Sequence, residues 1–262
     1  MTGRPPVAQG AGGVQSVERA FDLLEAMADA GGVAGLSELA ASSGLPLPTI
    51  HRLLRTLADR GYVRQQPSRR YALGPRLVRL GDRSGRLVGA SAEPHLAHLV
   101  DVLGETANLA MFDGGQVIYV VQAPGRHAMR MFTEVGRRVS PHCTAVGKAI
   151  LAQLPPATVH AVLRRTEFVA HTDNTITDVA AYLRELEQVR ERGYALDEGE
   201  QEVGVRCVAV ALAGGPAPAG ISISGPTTRM TDELVRRAVP HLRSTTETLS
   251  AELTVQLAAV GA

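Results

Sequence analysis

Residues Leu45 to Arg70 read LPLPTIHRLLRTLADRGYVRQQPSRR, a short turn, an Arg-studded amphipathic helix, a Gly stop and a basic hairpin. Ile50, Leu53, Leu54 and Leu57 recur at the helical period and bury one stripe, while Thr49, Arg52, Arg55 and Thr56 face outward or flank it. Pro48 suits the first helical turn, and Gly61 suits the left-handed residue that ends a helix. From Pro48 to Arg86 ten Arg stand against two acids, Asp59 and Asp82. A solvated helix face interleaves acids with bases, so this imbalance predicts a polyanion as partner, phosphate above all.

What precedes this helix decides how the phosphate is met. Val17, Ala20, Phe21, Leu24 and Met27 form an apolar stripe on a first helix, with Ser16 as its predicted N-cap. Ser37 is the predicted cap of a short second helix whose apolar side is Leu36, Leu39 and Ala40; Ser42, Ser43 and Gly44 then turn the chain. Helix, short helix, tight turn, helix is the helix-turn-helix order, in which the last helix enters the major groove of double-stranded DNA by its N-terminal end. Thr49, Arg52 and Arg55 are the expected base readers, with Pro48 and His51 close to the duplex. The hairpin from Tyr62 to Leu73 reads as a wing, and Arg69 and Arg70 at its tip are expected to fix position on the sugar-phosphate backbone.

The 262 residues are too many for one winged helix of about 60 and suit two domains. The predicted organisation is a flexible tail over 1–13, a winged helix-turn-helix over 14–74, a linker helix over 75–91 and a second domain over 92–262. Gly81 and Gly85 weaken the linker helix, whose polar side carries Arg76, Arg79, Arg83 and Arg86. The overall charge of +1 hides an asymmetry: residues 1–90 hold 12 Arg against 7 acids, and residues 91–262 hold 15 Arg and Lys against 19. A basic front and an acidic rear predict a DNA-binding part joined to one that stays off DNA. No run approaches the ~18 apolar residues of a membrane span, and the start, MTGRPPVAQGAGG, has no apolar signal region, so a cytoplasmic protein with no membrane partner is expected. Cys143 and Cys207 lack CxxC spacing, which argues against a disulfide framework or structural zinc. His142, Cys143 and Cys207 are not spaced as metal ligands either, so neither metal nor cofactor is expected.

Beyond Ala92 the pattern becomes α+β. Helices are predicted over 95–103, 144–154, 179–192 and 232–257, and strands over 106–112, 116–122, 205–212 and 220–224, with Pro155 and Pro156 ending the second helix. Strands joined by tight turns, with helices between, make an antiparallel sheet covered by helices. Lys148, the only lysine, is expected to serve packing and helix N-terminal geometry, with anion contact the alternative, and the charges Asp197, Glu198, Glu200 and Glu202 to form a solvated loop.

The segments GGVQSVERAFDLLEAMA, LPLPTIHRLLRTLADRGYV, YALGPRLVRLG, SPHCTAVGKAILAQL, RGYALDEGEQEVGVRCVAVAL and GISISGPTTRMTD, in this order and spacing, resemble the IclR family of bacterial transcriptional regulators over about residues 14–255. The resemblance implies a winged helix-turn-helix, a linker helix and a GAF-like effector-binding domain, in homodimers or homotetramers that bind operator DNA under control of a small, usually carboxylate, effector. A repressor is the expected mode, an activator the alternative. Its effector contacts carry over to Ala145 and Val146 at a helix N-terminus, to the polar residues Asp197, Cys207, Ser222 and Ser224, and to the apolar wall residues Met131 and Val205. Many relatives have Gly where this chain has Ala145, so a tighter or differently shaped pocket is expected. The alternation of ISIS puts Ser222 and Ser224 on one strand face. With four Phe, five Tyr and no Trp, an aromatic-lined site is not expected, and a short oxygen-rich acid such as glyoxylate or a ureide such as allantoate suits the polar set. An enzyme built on His142, Cys143, Asp197 and Cys207 would leave residues 1–90 without a purpose and lacks a nucleotide loop or nucleophile elbow, so no catalysis is expected.

Overall fold

The computed structural model describes residues 13–88, 91–128, 135–214 and 217–260, with side chains described except at 82, 84–88 and 255–260. The chain divides into two compact units, one up to Ser84 and one from Gly85 on, and the division falls inside a helix.

The first unit is built from α1 (Gln15–Asp29), β1 (Val33–Ala34), α2 (Leu36–Ser43), α3 (Leu47–Asp59), β2 (Val63–Gln65), β3 (Tyr71–Leu73) and the start of α4 (Arg76–Val88). Leu23, Met27, Leu39, Ile50, Leu54, Val63 and Tyr71 close one core between the three helices and the small antiparallel sheet β1-β3-β2. Both predicted caps fall inside their helices. At α1 the Val14 carbonyl already accepts the Val17 and Glu18 N–H groups, and at α2 the Gly35 N–H donates to Glu38 Oε2 at 2.9 Å, so Ser16 and Ser37 are not needed as caps. Gly44, at φ 65°, ends α2 in the left-handed conformation and turns the chain toward Pro46 and α3. Gly74 lies where an added Cβ would be 2.3 Å from the Gly61 carbonyl oxygen, so only glycine lets α4 begin against the end of α3.

The second unit follows the order α5 (Ala92–Leu103), β4 (Thr106–Asp113), β5 (Gln116–Ala123), β6 (Arg138–Val139), a 3-10 turn (Pro141–Cys143), α6 (Ala145–Gln153), α7 (Pro156–Leu163), α8 (Val179–Arg192), β7 (Ala195–Glu198), β8 (Val205–Leu212), β9 (Ala219–Pro226) and α9 (Asp232–Val260). The six strands form one antiparallel sheet in the order β6-β5-β4-β9-β8-β7. Alternation sends Val208, Val210, Ile221, Ile223, Ala107 and Leu109 to the face covered by α5 and α9, and Ala195, Ala209, Ala110 and Val117 to the face covered by α6, α7 and α8. The fold is therefore α+β, a winged helix-turn-helix followed by a helix-covered antiparallel sheet.

Two sequence expectations need correction here. Pro155 and Pro156 end α6, but Pro156 also starts α7, because proline is tolerated where a helix has no N–H partner to lose. The acidic run is solvated only in part: Glu198 and Glu202 are exposed, but Asp197 sits on β7 and, like Glu200, is buried, at 2% and 5% exposure.

Candidate functional site

In the first unit, α3 presents Pro48, His51, Arg52 and Arg55 to solvent, with Thr49 half-buried beside them. The buried stripe Ile50 and Leu54 fixes which way the helix faces. Among the described residues Arg52, Arg55 and Arg69 have no ion-pair partner, so their charge is free for an external anion. The two wing arginines differ. Arg69 is exposed, at the left-handed φ of 61° that closes the hairpin, whereas Arg70 forks onto Glu38 at 2.8 and 3.0 Å and donates to the Val33 carbonyl at 3.2 Å. The Arg70–Glu38 pair is about half exposed, so it orients the wing rather than securing the fold.

In the second unit, Ala145, Val146, Asp197, Val205, Cys207, Ser222 and Ser224 line a single cavity of about 50 Å³. Strand register explains the meeting. Asp197 pairs with Cys207 and Cys207 with Ser224, giving one polar row across β7, β8 and β9; Ser222 stands one row on, between Ala209 and Asn108. The sheet face that packs under α6 thus carries a polar island in an apolar surround. Met131 lies outside the described residues.

The helix α6 closes the cavity from above. Thr144 caps it by accepting the Gly147 N–H at 3.2 Å, and Gly147 is obligatory because a Cβ there would be 2.4 Å from the Pro141 carbonyl oxygen. The N–H groups of Ala145 and Val146 have no partner among the described residues, which leaves the positive end of the helix turned to the cavity. Ser222 Oγ is buried and likewise without a partner among the described residues. A buried hydroxyl left unpaired costs free energy, and a ligand oxygen would recover it. Ser224 Oγ is held by Asn108 Nδ2 at 3.5 Å, and Asn108 Oδ1 accepts from Gln122 at 3.1 Å.

The sequence reading did not include Tyr119, Arg137, Thr144 or Gln201, which also line the cavity. Tyr119 reaches it because a bulge at Leu109/Ala110 shifts the β4–β5 register, a feature without a sequence mark. Arg137 places a cation at the lining beside β6.

Burial pushes the Asp197 carboxyl up to about 6, against the pull of the Glu200 N–H, which donates to it at 2.7 Å, and of Lys148. Burial also raises the Cys207 thiol, assisted by Asp197, and pushes Cys143 up to about 12, so both sulfurs are thiols and not nucleophilic thiolates. Between about pH 4 and 6 native Asp197 keeps a proton that the unfolded chain has lost, so its contribution to stability is full below that window and is lost as pH rises through it. An anion in the cavity meets less repulsion once Asp197 is protonated. Affinity for a carboxylate that stays ionised is therefore expected to rise up to about tenfold from pH 7.5 to 5.5, and Asp197→Asn to flatten that slope, as measured by calorimetric titration.

Lys148, on α6, is buried at 1% exposure and ion-paired with Glu200, with Glu185 at 3.8 Å and Arg192 beyond it at 2.7 Å from Glu185. It is packed in the interior, as the sequence leads one to expect, and it also supports electrostatically the turn after β7 that carries Glu200 and Gln201. Glu105, just before β4, is also a buried acid in an ion pair and is bound by both arms of Arg229.

A winged helix-turn-helix joined to an α+β unit with a polar cavity defines a DNA-binding regulator with an effector-binding domain. The profile "IclR helix-turn-helix domain" matches residues 16–67, and "Bacterial transcriptional regulator IclR C-terminal" matches residues 84–251. The chain belongs to the IclR family of transcriptional regulators. It is 39% identical over 230 residues to the transcriptional regulator BhcR of Paracoccus denitrificans, covering 86% of this chain and 82% of that protein. It is 37% identical over 243 residues to the transcriptional repressor IclR of Escherichia coli, covering 89% of each. An IclR regulator structure from Alicyclobacillus acidocaldarius superposes with a TM-score of 0.81 at 34% identity, over 91% of this chain and 98% of that one. These relatives are regulators and not enzymes, and among the described residues no helix is long and apolar enough to cross a membrane.

Proposed function

We propose that this regulator is a repressor released from its operator by a short carboxylate of the glyoxylate type. The observation that carries the reading is the buried Ser222 hydroxyl, which faces the same cavity as the N–H groups of Ala145 and Val146, none of the three having a partner among the described residues. Together they offer a carboxylate several donors in an apolar surround, with Arg137 adding charge. The short polar side chains Ser222, Ser224 and Thr144 lie close together in the lining, which favours glyoxylate over the larger allantoate. Asp197 then faces the aldehyde hydrate, whose hydroxyls donate to it. Repression is the mode of the Escherichia coli relative. A thermal-shift series with glyoxylate, pyruvate, glycolate and allantoate tests the class: stabilisation by the two-carbon acids alone is expected, and stabilisation by allantoate alone would overturn it.

On the DNA side, Thr49, Arg52 and Arg55 read bases from α3, with Pro48 and His51 against the duplex, and Arg69 fixes the wing, joined by Arg70 where phosphate competes with Glu38. Arg52→Ala is expected to cost about 1–3 kcal/mol of discrimination between cognate and random duplex, and Arg69→Ala to weaken both alike while reducing the salt slope. Equal losses on both DNAs for Arg52→Ala would demote it to a backbone contact.

The functional species is a homodimer or an assembly of dimers. Val14 at the N-cap of α1 and Val17 and Phe21 on the helix are 64%, 50% and 62% exposed, an apolar seam that a second copy would cover. Phe21→Asp is expected to shift the protein toward monomer in analytical ultracentrifugation and to weaken operator binding, since two half-sites are then read independently. An unchanged sedimentation profile would place the seam elsewhere.

A further inference from the structure

We propose that His142, Cys143 and His171 form a binding site for a transition-metal ion of the zinc class. One ligand atom from each residue lies within 4.8 Å of the other two. A tetrahedral ion with ligand bonds of about 2.0–2.3 Å holds its donors about 3.5 Å apart, so the group needs to contract by only about 1 Å. His171 is exposed and supplies both the freedom to move and the entry path, while His142 and Cys143 are buried. Two imidazoles and a thiolate select zinc, cobalt or copper over magnesium or calcium, which prefer oxygen.

The surroundings already hold these donors in place. His142 and Cys143 are consecutive in the 3-10 turn that leads into α6. The loop bearing His171 is clipped to the turn after β7, where Thr172 Oγ1 donates to the Gly199 carbonyl at 2.6 Å, Asn174 to the Glu198 carbonyl at 2.8 Å and Thr175 to the Glu200 carbonyl at 2.6 Å. His142 Nε2 lies 3.1 Å from the Val169 carbonyl oxygen, which can only accept, so Nε2 carries the hydrogen and Nδ1 keeps a lone pair, now against the Ser140 hydroxyl at 2.6 Å. An imidazole that donates its other N–H to a backbone carbonyl is the usual outer support of a metal-bound histidine.

Metal binding would reach the effector cavity. The Cys143 thiol donates to Gln201 Oε1 at 2.8 Å, and Gln201 lines that cavity. On loading, the S–H bond breaks, its proton leaves to solvent, the sulfur lone pair binds the ion, and Gln201 loses its donor. Nothing in this depends on which effector is bound.

Cobalt(II), added to the metal-free full-length protein, is the probe. The expected result is one equivalent bound with a thiolate-to-cobalt charge-transfer band. Cys143→Ser should abolish the band, Cys207→Ser should keep it, and His171→Ala should weaken binding about tenfold or more. His171 is exposed, so its variant decides the matter even if Cys143→Ser fails to fold. Absence of the band in the unaltered protein, a band lost with Cys207 but kept without Cys143, or undiminished affinity in His171→Ala would each overturn the site.

Discussion

Lys148→Met is expected to remove about 3–5 kcal/mol of stability, because it leaves the Glu200 carboxylate buried without its cation. Burial already pushes Glu200 upward, and Lys148 is the main force holding it down. Without that force Glu200 takes up a proton in the folded state at higher pH than it does now. A raised carboxyl contributes stability that is lost as pH rises, so the defect should be larger at pH 8 than at pH 5. Lys148→Met with Glu200→Leu should regain most of the loss, since a volume-matched apolar pair avoids the burial of charge altogether. Urea unfolding of the three proteins at both pH values checks this. A single variant as stable as the parent would mean that Glu200 finds another partner or water.

The second large effect concerns the serines. Ser222→Ala with Ser224→Ala removes two small hydroxyls from a wall whose neighbours are Ala209, Cys207 and Asn108, so fold and operator binding should survive. Each lost hydrogen bond to a charged ligand costs about 1.5–3 kcal/mol, a tenfold or larger change in affinity per contact. Ser222 should carry the larger share, because Ser224 already has Asn108 as a partner and Ser222 has none among the described residues. Calorimetry with glyoxylate on the two single variants separates them.

Much of this was legible in the sequence where local patterns decide the outcome. The stripe Ile50, Leu54 fixed the face of α3, the Gly-rich turns marked the hairpins, and the alternation of β9 put both serines on one side. The family segments brought seven scattered residues to one cavity. What was hidden depends on long-range packing. Asp197 and Glu200 look like a solvated acidic run until β7 joins the sheet and Lys148 arrives from α6, residues 52 positions away in the chain. The Arg70–Glu38 fork joins a wing tip to α2, and no local rule pairs them. His171 joins His142 and Cys143 through a loop without regular structure, so no ligand spacing announces it.

In the proposed function a small carboxylate held under α6 releases the protein from DNA. A duplex selected by the protein from random sequence, fluorescently labelled and saturated with protein, is titrated with glyoxylate while anisotropy is followed. Saturable release is expected for the unaltered protein and release shifted by tenfold or more for the Ser222→Ala, Ser224→Ala variant, with both binding DNA equally well in the absence of effector. Release with the same midpoint in both proteins would contradict it, as would DNA binding that glyoxylate leaves unchanged.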